Sequence, residues 1–146
     1  MKKLFFSLLE RLGRKRVILD RESKDPYLTR YYLFLKERTW FPINIFLHKF
    51  HKSDPGDLHD HPWGYFTLII KGGYFEWTPQ PNGAILREWY GPGHFRFRKA
   101  TSKHRIELDQ DITPWTIFIA FNQKREWGFY PKGKFVHNKQ YLENKE

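Results

Sequence analysis

At 146 residues, with 40% hydrophobic residues and 19% aromatics, the chain carries enough apolar material for one well-filled core, which excludes a disordered tail protein. Twenty-six basic against sixteen acidic residues leave a net charge of +10, so the surface attracts polyanions, and nucleic acid or another polyanion is one expected partner. With no cysteine there is no disulfide framework, thiolate metal site or cysteine nucleophile, and any metal must sit on histidine, carboxylate or water, which fits a cytoplasmic protein.

Leu4, Phe5, Leu8, Leu9 and Leu12 recur at three- and four-residue intervals, predicting a short amphipathic helix over residues 1–13 that Gly13 ends. Its apolar stripe is expected to dock on the domain or on a second copy, so a homodimer is a second expected assembly. The opening stretch imitates a signal peptide but lacks a small-residue cleavage site, and is read as part of the mature chain. Short aromatic and β-branched runs then predict strands at 17–19, 28–35, 43–50, 59–70, 74–78, 85–89, 94–98, 104–108, 115–121 and 127–130, separated by Pro, Gly, Asn and Asp turns. Regular short strands of this kind point to an all-β fold, a closed double-sheet barrel over residues 14–138, followed by a polar tail at 139–146. The longest apolar run, Phe66-Thr-Leu-Ile-Ile70, is far short of a membrane span, so no integral membrane association is expected.

Seven histidines are present, and His59-Asp-His61 is the informative pair. In a strand, residues two apart face the same side, so His59, His61, Trp63 and Tyr65 share one face and Asp60 the other. Two imidazoles directed into a barrel interior need a metal or a polar partner. His104 alternates with Ile106 and Leu108 on an apolar face and is the candidate third member.

These residues resemble the cupin superfamily. Its first motif runs glycine, H-x-H, glutamate, glycine, and here His59-Asp-His61 is followed at the right distance by Gly72 or Gly73. Gly93 and His104 match the spacing of its second motif. The sequence departs from the pattern at the metal-binding glutamate, where Tyr65 or Phe66 stands. Ser53 replaces the first glycine, Lys99 and Thr101 the P-x-G pair, and Leu108 the asparagine. More narrowly, Tyr27-Leu-Thr-Arg-Tyr-Tyr32, His48, Leu58-His-Asp-His-Pro-Trp63 and Arg125-Glu-Trp-Gly-Phe129 look like a group of small single-domain cupin proteins of phages and bacteria. The resemblance implies a jelly-roll (double-stranded β-helix) barrel. It also implies one divalent metal ion, Fe(II) first and Zn, Ni or Mn as alternatives, on His59, His61 and His104. The activity so implied is that of a dioxygenase or an isomerase.

Around this triad, Tyr65 is either a proton donor to substrate or core filling. Asp57 and Asp60 are candidates to orient an imidazole N–H, with a turn role as the alternative for Asp57. Arg96 and Arg98 alternate with Phe95 and Phe97, so the arginine face either solvates the strand or, with Trp63, receives a small anionic ligand in the cavity. The competing reading is a non-catalytic module, such as a phage accessory protein, that uses the barrel as a scaffold and its basic surface for polyanions.

Overall fold

The N-terminal periodicity becomes helix α1 (Lys2–Arg11), closed by Gly13 in the left-handed region at φ 62°. The Arg14 N–H reaches the Leu9 carbonyl and the Gly13 N–H the Glu10 carbonyl, which terminates the helix as glycine at this position favours. The computed structural model describes residues 2–20, 23–36 and 41–143.

Among the described residues eleven strands follow: β1 (Lys15–Leu19), β2 (Pro26–Tyr32), β3 (Asn44–Phe50), β4 (Tyr65–Lys71), β5 (Tyr74–Pro79), β6 (Ile85–Tyr90), β7 (Phe95–Arg98), β8 (Arg105–Glu107), β9 (Trp115–Ala120), β10 (Gly128–Phe129) and β11 (Val136–His137). They form an antiparallel six-stranded sheet in the order β1-β2-β3-β9-β4-β7, a three-stranded sheet β6-β5-β8, and the pair β10-β11. One buried cluster joins Leu28, Phe50 and Ile69 of the large sheet to Tyr74 and Ile106 of the small one, so the core lies between the two sheets. This is the expected all-β jelly roll.

Register decides which side chains look inward. Across the large sheet, Arg30 stands opposite His48, His48 opposite Thr116, and Thr116 opposite Ile69. The next row runs Phe46, Phe118, Thr67, Arg96, and a third runs Asn44, Ala120, Tyr65, Arg98. The opposite face carries Tyr31, Leu47, Trp115 and Ile117, which Leu9 and Phe6 of α1 cover. The docked edge of α1 is therefore Leu9 with Phe6, while Leu4, Phe5, Leu8 and Leu12 stay exposed, a narrower contact than the sequence periodicity predicts.

Two further expectations are corrected. The stretch 59–70 is not one strand: His59 makes isolated bridges to His104 and Phe129, and β4 begins only at Tyr65. Pro62, which has no N–H to give a ladder, interrupts the run. The C-terminal segment is not a loose tail through residue 143. Asn138–Glu143 form helix α2, whose Tyr141 is buried, stacks on Phe129 at 4.0 Å and donates a hydrogen bond to Asp57 at 2.7 Å. Residues 144–146 of the expected tail lie outside the described residues.

Candidate metal centre

His59 and His104 are tied together by the backbone. Each N–H donates to the other's carbonyl at 2.9 Å, which sets their side chains side by side with ring centroids 4.8 Å apart. His61 is held by its N–H on the Ala100 carbonyl, and its ring centroid lies 5.1 Å from each of the other two. One nitrogen from each of the three rings falls within 4.8 Å of the others. All three line one cavity of about 1030 Å³ between the sheets, so the cluster faces ligand space rather than solid core.

The donor chemistry suits a cation. Burial, followed by the nearby charges of His59 and His104, holds the His61 imidazole well below its ordinary range; burial holds His59 at about 4, although Asp54 opposes the shift. Both rings are neutral at pH 7 and present lone pairs, the form a metal needs. His104 is oriented from behind: its Nδ1 lies 2.7 Å from Glu76 Oε1. Burial alone would raise the Glu76 carboxyl, but the hydrogen bond and charge of His104, with Arg98 and Arg96, outweigh it and leave the group at about 2. An ionised Glu76 can only accept, so His104 donates from Nδ1, and this bond turns its Nε2 to the cavity. That Nε2 is 2.9 Å from His61 Nε2 and 3.1 Å from the Tyr65 hydroxyl. His59 Nδ1 is buried without a hydrogen-bond partner, 3.9 Å from Asp54 Oδ2. Three imidazoles converging on one point, one of them backed by a carboxylate, fit a divalent metal.

Tyr65, one of the two residues standing where the cupin pattern has glutamate, reaches the cluster with its hydroxyl. Burial, with the charge of Glu76 adding to it, pushes that hydroxyl well above its ordinary value, so it stays protonated and can donate. Trp63 lines the cavity. Asp60 is fully buried, but its carboxylate accepts from Arg125, from Gly128 N at 2.9 Å and from the Tyr130 hydroxyl at 2.7 Å; it fastens the 125–130 segment rather than an imidazole. Asp57 likewise turns to Tyr141. Arg96 and Arg98 look inward, while Phe95 and Phe97 are 59% and 49% exposed. Both guanidiniums converge on Glu76 Oε2, Arg98 at 2.7 Å, so the pair, two cations on one buried carboxylate, faces the interior rather than forming a solvated face.

Sequence reasoning overlooked Glu76. Its one signal is parity: Glu76 shares the inward face of β5 with the buried Tyr74, and an acid at such a position requires cations nearby.

No protein-family model matches the chain, and no curated protein matches it in sequence. Solved structures do match in fold. The polyketide cyclase RemF from Streptomyces resistomycificus is 15% identical over 82% of this chain and 79% of its own, with a TM-score of 0.59. Fe(II)-HppE with the alternative substrate (S)-1-HPP is 11% identical over 75% and 57%, at 0.56. A variant of oxalate decarboxylase from Bacillus subtilis is 11% identical over 75% and 27%, at 0.54. The chain thus spans little more than half of the second protein and about a quarter of the third. Two opposed antiparallel sheets, matched in fold by these proteins, identify the cupin fold in this chain.

Proposed function

We propose that the chain is a metal-dependent enzyme that holds one divalent ion on His59, His61 and His104 and acts on a small anionic substrate. The observation that carries this reading is the convergence of three imidazoles in a cavity wall, with His104 fixed from behind by Glu76. Iron is the first choice of metal, since three imidazoles without a thiolate suit it and a protein of similar fold is described with Fe(II). When bound, such an ion polarises an anionic ligand and, as iron, adds redox chemistry toward dioxygen.

The chain's own groups complete the site. Glu76 holds the His104 tautomer, and the Tyr65 hydroxyl is placed to give a hydrogen bond or a proton to a ligand beside His104. The test is to load metal-free protein separately with Fe(II), Mn(II), Ni(II) and Zn(II) and to follow turnover, including oxygen uptake, with a panel of small organic acids. Turnover with one metal, absent in His104→Ala, supports the reading. No turnover with any metal, together with oligonucleotide binding that weakens steeply as salt rises, would replace it with the polyanion-binding module.

A further inference from the structure

With Arg96 and Arg98 committed to Glu76, the cavity has another cation. Arg30 lies on the inward face of β2, and its Nε donates to His48 Nε2 at 3.0 Å across the β2-β3 register. Its guanidinium carbon sits 4.5 Å above the Phe46 ring. The His48 ring is stacked on Phe46 and tilted against Phe118 at 5.0 Å, so the pair is held in an aromatic wall. Among the described residues, Arg96 and Arg98 are paired to Glu76, Arg125 to Asp60, and Arg87 and Arg105 to Glu107, but no carboxylate pairs with Arg30. Burial works against its charge first; Tyr32, through its charge and a side-chain hydrogen bond, Arg16 and Tyr27 also act on it, and none of them is a carboxylate. A partly buried, unneutralised guanidinium on a cavity wall is expensive unless an anion completes it.

We infer that Arg30 anchors the carboxylate of an aromatic or apolar acid whose far end reaches the His59/His61/His104 centre. The inference rests on the proposed function for that far end only. With Nε committed to His48 and one further hydrogen bond shared with Tyr32, the guanidinium still has N–H groups on its two terminal nitrogens to meet a carboxylate's oxygens. A guanidinium without a carboxylate calls for a negatively charged group, and walls such as Phe50, Phe118 and Phe129 call for an apolar body. Arg30, His48 and the three imidazoles line the same cavity, and the charge of Arg30 is felt at His61. His48 acts here as a positioning residue: burial, then Arg30, holds it neutral, so its Nε2 accepts and keeps the fork aimed.

The test is calorimetric titration of 2-naphthoate, benzoate and the neutral 2-naphthamide into metal-loaded and metal-free protein, with metal content measured in every sample. Wild type is expected to bind naphthoate about 10- to 100-fold more tightly than the amide in both forms. Arg30→Gln is expected to lose that preference while retaining the metal, and Arg30→Lys to recover part of it. A preference that survives in Arg30→Gln, or that disappears when the metal is removed, overturns the inference, as does wild type binding none of the three. The wild-type comparison needs no variant to fold. A chain that holds no metal yet keeps an Arg30-dependent preference would sink the metal reading and leave this subsite standing.

Discussion

Glu76 is the residue on which the centre depends most. It joins one imidazole to two guanidiniums with 6% of its side chain exposed, so Glu76→Gln leaves Arg96 and Arg98 facing each other without an acid. Breaking a buried network in this way costs about 3–5 kcal/mol, and loss of the carboxylate behind His104 is expected to weaken metal binding about 10- to 100-fold. Denaturant unfolding and metal titration of the variant check both; unchanged affinity would separate Glu76 from the site. Tyr65→Phe removes one hydroxyl from a packed ring, and is expected to keep the metal while lowering turnover about 100-fold, read as a fall in kcat. His48 gives a pH signature away from the triad. Its folded-state value lies well below its unfolded 6.5, so under acid the unfolded state binds more protons and stability falls as pH drops below about 6.5. His48→Gln can still accept from Arg30 and does not titrate, so its melting temperature should fall less between pH 7 and pH 5 than that of wild type.

At the scale of elements, H-x-H and His104 were legible as one group, although the reason differs from strand alternation. The stretch 59–64 is bridged and turned rather than a continuous strand, and the backbone pair His59–His104 does the aligning. Alternation holds only from Tyr65 on, where β4 is regular and Tyr65, Thr67 and Ile69 share one face. It could not say whether the Arg or the Phe face of β7 looks inward, because apolar burial favours Phe and the answer lies in Glu76, twenty residues earlier in the chain. Helix α2 was hidden for a similar reason: its polar composition reads as a tail, and one buried side chain, Tyr141, ties it down. Tyr141→Ala is therefore expected to destabilise the fold by about 3–5 kcal/mol, measured by denaturant unfolding. A loss near zero would show that α2 is dispensable.

For the whole molecule, turn spacing and aromatic β-runs were enough to read the two-sheet barrel, since those signals are local. The +10 charge says less than its placement. Arg96 and Arg98, which look in the sequence like part of a basic surface patch, are turned into the interior, while Lys15 pairs with Glu10 at the surface. No helix among the described residues is long and apolar enough to cross a membrane. The central claim is that this barrel encloses a metal centre on His59, His61 and His104. Its most direct test is elemental analysis of tag-free protein reconstituted with Fe(II), Mn(II), Ni(II) and Zn(II), comparing wild type with His59→Ala, His61→Ala and His104→Ala, each shown to be folded by circular dichroism. Close to one metal ion per wild-type chain is expected, with that metal lost in all three variants. A folded wild type that retains none of the four metals, or variants that retain the metal in full, would contradict it.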